Sequence, residues 1–159
     1  NAGITEDNLF MRMTDNAWDK VFAINLDASM IICRKFIRGM IKNKWGRIVN
    51  ISSVVASTGN PGQSNYVAAK GALNGLTKSI ALEVATRGVT VNCISPGFID
   101  TAMTAKLTDD QRSKITERIP MGRMGAGNDI SSLVLFLLSN EAGYITGQNI
   151  HVNGGLFLA

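Results

Sequence analysis

Two short β-branched runs, residues 47–52 and 89–94, bracket a stretch long enough for a full helix and its connections. Runs of about six residues without polar alternation suit strands buried on both faces, as in a parallel sheet. Joining two such strands through a helix requires a crossover, and crossovers of this kind are right-handed. The predicted fold class is therefore α/β, with a parallel sheet.

The other elements fit around this unit. Residues 15–43 contain no proline and are rich in helix formers, with Thr14 as cap and Asp15 at the positive end of the helix dipole; one long helix is predicted. Its apolar positions, among them Val21, Leu26, Cys33, Phe36 and Met40, are too wide for one stripe, so it should pack on the sheet and on a second surface, such as a partner subunit. Trp45-Gly46 ends it. Ser64 is placed to cap a second helix running to about residue 85, where Ala68, Ala72, Gly75 and Ser79 allow close approach of a neighbour. Ser95-Pro96-Gly97 reads as the turn after the second strand. Thr108 and Gln111 have capping-box spacing, Asn128 is the candidate cap of a helix ending at 138, and residues 148–152 form a last strand.

With 45% hydrophobic and 18% charged residues, the 159-residue chain is expected to pack as one domain. Cys33 and Cys93 lie in apolar runs without CxxC spacing and read as reduced core thiols. No apolar run is long enough for a transmembrane helix and no signal peptide opens the sequence, so a soluble protein of the cytoplasm is expected, with no membrane partner. The formal charge of +4 is spread along the chain without an aromatic-interleaved basic patch, which argues against nucleic acid as a partner.

Ligands of open parallel sheets bind beyond the carboxyl ends of the strands. Three loops fall at such ends: Asn1-Ala2-Gly3, Ser53 onward and Pro96 onward. Tyr66 and Lys70 are one helical turn apart on the helix that follows Ser53. An ammonium beside the phenol, near a helix N-terminus, is expected to lower the phenol pKa and prepare it for acid/base work. Ser53 is placed to hydrogen-bond a substrate carbonyl while Tyr66 supplies the proton. Taken singly, Tyr66 and Lys70 also read as a surface helical pair, Ser53 as a turn hydroxyl, and Pro96-Gly97 as a simple turn. Asn25, between Ile24 and Leu26, either satisfies backbone groups, orders a water, or does both. His151 reads as structural, and no metal site is expected because no second ligand is spaced to join it.

Asn1-Ala2-Gly3, Asn25, Ser53, the YxxxK of Tyr66 and Lys70, and Pro96-Gly97 stand in the order of the signatures of classical short-chain dehydrogenases, and the chain resembles that family over its whole length. Within it, the stretches Gly46-Arg47-Ile48-Val49-Asn50-Ile51-Ser52-Ser53, Gln63-Ser64-Asn65-Tyr66 and His151-Val152-Asn153-Gly154-Gly155 are most similar to bacterial 3-oxoacyl-acyl-carrier-protein reductases. The resemblance implies a Rossmann-like fold, a doubly wound parallel sheet, and, as cofactor, NADP(H), with NAD(H) not excluded. It implies reduction of a 3-keto acyl thioester in fatty acid biosynthesis, and a homo-oligomer. It further implies that Asn25 holds a water of a proton relay, Tyr66 and Lys70 bind the cofactor, Lys70 at the nicotinamide ribose, Ile99 and Thr101 meet the carboxamide end with Pro96 and Gly97 beside it, and Asn1, Ala2 and Gly3 border the adenosine. Lys44 and Arg87 would dock an acyl carrier protein. The bland alternative for the basic cluster around Lys44 is that it offsets the helix dipole and stays solvated.

The family's Gly-rich phosphate loop is not among residues 1–159, so the chain is expected to be the C-terminal part of a single Rossmann-like domain with a further half-domain upstream. Two rivals stand beside this reading: a family member acting on acetoacetyl-CoA, a steroid or a sugar alcohol, and a non-catalytic partner subunit.

Overall fold

The computed structural model describes residues 3–101, 104 and 108–158. Three parallel strands form one sheet in the order β1 (Gly46–Ile51), β2 (Val89–Pro96), β3 (Asn149–Val152). Gly46 pairs with Val89 and Ile51 with Ile94, while Cys93 pairs with Asn149. β2 is central and buried along nearly its whole length.

The helices are α1 (Asp15–Phe22), α2 (Ala28–Asn43), α3 (Val55–Thr58), α4 (Ser64–Val84), α5 (Asp109–Glu117) and α6 (Gly127–Leu138). Strand periodicity sorts the side chains between two faces. On one face Val89, Val91 and Ile48 pack with Ala81 and Val84 of α4 and Ile37 and Met40 of α2. On the other, Val49, Ile51 and Ile94 pack under Leu133, Val134 and Leu137 of α6. Helices on both faces of a parallel sheet make the predicted doubly wound, Rossmann-like α/β architecture.

Several boundaries differ from expectation for identifiable reasons. The helix predicted over residues 15–43 is continuous but contains a π-helical segment, Ala23–Asp27, centred on Asn25. It ends on Lys44, which adopts the left-handed conformation (φ 51°), one residue before Trp45-Gly46. Gly88 (φ +73°) closes against this turn, where an added Cβ would lie 2.2 Å from the Lys44 carbonyl oxygen. Ser64 is the first residue of α4 rather than its cap: Gln63 holds that position without a side-chain bond. Asn128 lies inside α6, whose cap is Ala126, and Asp129 accepts the Ala126 amide at 2.7 Å. β2 runs on to Pro96, so the expected turn begins at Gly97. The Thr108–Gln111 capping box forms as predicted.

Cys33 and Cys93 are buried free thiols. Burial raises both thiol pKa values, that of Cys93 to about 11. No helix among the described residues is long and apolar enough to cross a membrane.

Candidate active site

β1 delivers its carboxyl end to one corner of the molecule, and α4 starts beside it. Ser52 donates its hydroxyl to the Lys70 carbonyl at 3.0 Å and its amide to the Ile94 carbonyl at 2.7 Å, locking strand, helix and neighbouring strand together. Ser53 follows, half-buried, its Oγ accepting the Val55 amide at 3.4 Å at the start of α3. Tyr66 and Lys70 rise from the first two turns of α4, as the four-residue spacing requires.

The Lys70 ammonium donates to the Ile51 carbonyl at 2.8 Å and stands 5.7 Å from the Tyr66 ring centroid, over its face. The two side chains therefore share one side of the helix. Their electrostatics differ from the sequence expectation. Burial is the dominant influence on the phenol and raises its pKa; the Ser53 hydroxyl, close by, pulls the other way, and the Asp7 carboxylate adds to the rise. Burial likewise lowers the Lys70 pKa. The expected lowering of the phenol pKa is thus outweighed: the cation lies over the ring rather than against the oxygen, and desolvation disfavours the phenolate more. Tyr66 is a neutral phenol at pH 7, the form that gives a proton.

Asn25 sits in the π segment and is 1% exposed. Its Nδ2 donates to the Ile4 and Val21 carbonyls, both at 2.9 Å, while its buried Oδ1 has no partner among the described residues. The amide nitrogen thus satisfies backbone groups, the first of the two sequence readings. An added Cβ on Gly3 would lie 3.0 Å from Asn25 Oδ1, so the 3–8 loop approaches it closely. Asn1 and Ala2 lie outside the described residues.

Pro96 and Gly97 lie beyond Ser95 at the end of β2, and a Cβ on Gly97 would meet the Asn153 Cα and Cβ at 2.8 Å. Ile99 forms a parallel bridge with Gly125, and the exposed Thr101 amide donates to Thr104 Oγ1 at 2.8 Å. Ser53, Tyr66, Lys70, Pro96 and Gly97 all fall at the carboxyl end of the sheet, where such sheets bind ligands.

Lys44 and Arg87 do not. Both are exposed and precede β1 and β2, at the amino end of the sheet. The six residues of β1 separate them from Ser53 by about 20 Å at roughly 3.3 Å per residue.

A family model described as Enoyl-(Acyl carrier protein) reductase matches residues 1–157. The chain belongs to the short-chain dehydrogenase/reductase family. It is 54% identical over 158 residues to 3-oxoacyl-[acyl-carrier-protein] reductase FabG of Rickettsia felis, covering 99% of this chain and 66% of the relative. The protein of the same name from Haemophilus influenzae is 54% identical over 159 residues, covering 100% and 66%. Nodulation protein G of Rhizobium sp. (strain N33) is 54% identical over 156 residues, covering 98% and 64%. The chain thus spans about two thirds of the length of these relatives, 66%, 66% and 64%.

The sequence reading missed Ser52 and Asn65, buried polar residues beside Ser53 and Tyr66 whose side chains hydrogen-bond the surrounding backbone. Ser52 stood beside the more obvious Ser53, and Asn65 beside Tyr66; a polar side chain next to a reactive one at a strand end or helix start is the signal that was available.

Proposed function

We propose that the protein containing this chain is an NADPH-dependent 3-oxoacyl-acyl-carrier-protein reductase of fatty acid biosynthesis. The convergence of the Tyr66 phenol, the Ser53 hydroxyl and the Lys70 ammonium beyond the carboxyl end of β1 carries this reading. The names of the relatives support the substrate class.

The residues fit a nicotinamide nucleotide. Lys70 has three N–H donors, and Ile51 takes one at 2.8 Å; the others need acceptors because a buried ammonium is costly without them, and ribose hydroxyls are acceptors of that kind. Pro96, Gly97, Ile99 and Thr101 would border the carboxamide end, and Asn1, Ala2 and Gly3 the adenosine. When bound, the nicotinamide supplies the hydride. Ser53 Oγ donates a hydrogen bond to the keto oxygen and holds it against Tyr66 Oη, which delivers its proton there as negative charge develops. Asn25 Oδ1, buried without a partner, would accept from a water that returns a proton towards Lys70 and Tyr66.

The outer edge of β1 pairs with no strand among the described residues, and a cavity of about 210 Å³ lined by Cys33, Ile48, Val49, Ile51 and Lys70 lies there. A further parallel strand fits that edge, belonging to the half-domain that would carry the Gly-rich loop.

A homo-oligomer is supported by the uncovered faces of α2 and α4: Ile31 and Phe36 on one, and Ala72, Gly75, Ser79 and Leu82 on the other. Gly75 lies midway in sequence between Gln63 and Arg87. An antiparallel twofold pairing of α4 centred on Gly75 would bring the partner subunit's Arg87 level with the end that carries Tyr66. In such an arrangement an acyl carrier protein docked on Lys44 and Arg87 of one subunit would face the Tyr66 end of the other. The buried reduced thiols fit the cytoplasm.

Oxidation of NADPH by the full-length protein, followed at fixed concentration with acetoacetyl thioesters of acyl carrier protein and of coenzyme A, a steroid ketone and a sugar, tests the assignment. The carrier-bound thioester should give the highest kcat/KM. Preference for the steroid or sugar would overturn it, and no turnover with any would favour the non-catalytic rival.

A further inference from the structure

The first-turn amides of a helix have no partner within it, and a side chain just before the helix usually supplies one. α4 lacks that cap: Gln63 makes no capping bond, although its carbonyl accepts the Val67 amide at 2.8 Å. Asn65, inside the first turn, does the work instead. Its Oδ1 accepts the Tyr66 amide at 2.8 Å. Its Nδ2 donates to the Glu6 carbonyl at 3.1 Å and to the Ala17 carbonyl at 3.4 Å, the latter in α1. The side chain is 0% exposed, and both its oxygen and its nitrogen are engaged.

The loop that Asn65 reaches is held at a second point by Asn25, which donates to Ile4. The Asn8 amide donates to the Gly62 carbonyl at 2.9 Å and Gln63 Nε2 to the Asp7 carboxylate at 3.0 Å, so the loop lies across the start of α4. One buried amide therefore joins the backbone of Tyr66 to the 3–8 loop and to α1 at once.

We propose that Asn65 is a positioning residue for the Tyr66 phenol, setting its height against Ser53 and coupling it to the 3–8 loop. This rests on the reading of Tyr66 as proton donor. Asn65→Ala leaves the Tyr66 amide and the Glu6 carbonyl without these partners, removes the tie to α1 at Ala17, and frees the first turn of α4. A shift of the phenol by about 1 Å is enough to lower the chemical step up to about 100-fold.

The test uses the full-length protein with NADPH and acetoacetyl-CoA. In Asn65→Ala, kcat should fall about 10- to 100-fold, with KM for the thioester changed by less than about threefold, as expected when an interaction specific to the transition state is lost. The upper limb of the pH profile should move with it. Gln63→Ala, which releases the same loop at Asp7 without touching the Tyr66 amide, should keep kcat near the parent value. Should Asn65→Ala not fold, Asn65→Ser is measured in its place. A parental kcat and pH profile with only a lower Tm would reduce Asn65 to a structural residue and overturn the proposal, as would an equal kcat loss in Gln63→Ala. Tyr66→Phe is run in parallel: if it retains turnover, the reading of Tyr66 has failed, whereas its inactivity beside an unaffected Asn65→Ala condemns the positioning role alone.

Discussion

Lys70 stands over the face of the Tyr66 ring, 5.7 Å from its centroid, and is held there by the Ile51 carbonyl at 2.8 Å. The ammonium is thereby placed by β1 as much as by its own helix. Lys70→Met removes the cation while Ser52 still ties the residue's carbonyl to the strand. Reduction should fall by about 100-fold or more, with KM for NADPH raised and the circular dichroism spectrum unchanged; steady-state kinetics with varied nucleotide checks this.

The pH dependence follows from the raised phenol pKa. In the proposed reaction carbonyl reduction uses the protonated phenol, so its rate should hold through neutral pH and decline only above the ordinary tyrosine value of about 10. Alcohol oxidation needs the phenolate and should speed up as pH rises. The linkage runs the same way: a folded-state pKa above the unfolded one contributes stability that is complete below about pH 10 and is lost as pH rises through the folded value. Lys70, whose pKa is lowered, contributes in the opposite sense, its share being lost as pH falls through its folded value. Initial rates in both directions against pH test the assignment.

Gly97 is fixed by space. Because a Cβ there would lie 2.8 Å from the Cα of Asn153, Gly97→Ala must displace the turn after β3 or the end of β2. A loss of about 1–3 kcal/mol is expected, together with a higher KM for the nucleotide. Urea unfolding and nucleotide titration measure the two effects.

Asp129 pairs with Arg123 at 2.8 Å and accepts the amide of the cap residue Ala126, which together hold its carboxyl pKa at about 2. Its contribution to stability is present above the ordinary aspartate value of about 4 and is lost as pH falls through about 2. Asp129→Asn should therefore lower Tm at pH 7 and narrow the difference from the parent at pH 2, as thermal melts at the two pH values would reveal.

The strands were legible because β2 is buried on both sides and is written in Val, Thr, Cys and Ile with no competing helical period. Helix ends were less so. Ser64 and Asn128 are good caps by residue type, but burial of Asn65 and the reach of Asp129 to Ala126 decided where α4 and α6 begin. The π segment around Asn25 left no periodic trace, since one wide turn within a long helix barely moves the apolar stripe. The Tyr66–Lys70 pairing was readable from spacing alone. Its electrostatics were not, because desolvation depends on what the rest of the chain packs around the phenol. Likewise Lys44 and Arg87 flank the right elements in sequence, but only the parallel register puts them at the far end of the sheet from Ser53.

In the proposed reaction the Tyr66 hydroxyl transfers the proton. Tyr66→Phe deletes that hydroxyl and keeps the ring under Lys70. At pH 7, single-turnover reduction of acetoacetyl-CoA by the full-length protein saturated with NADPH should slow by about 100- to 10,000-fold. A rate within about tenfold of the parent would contradict the account, because a group worth less than that is not a general acid of ordinary strength.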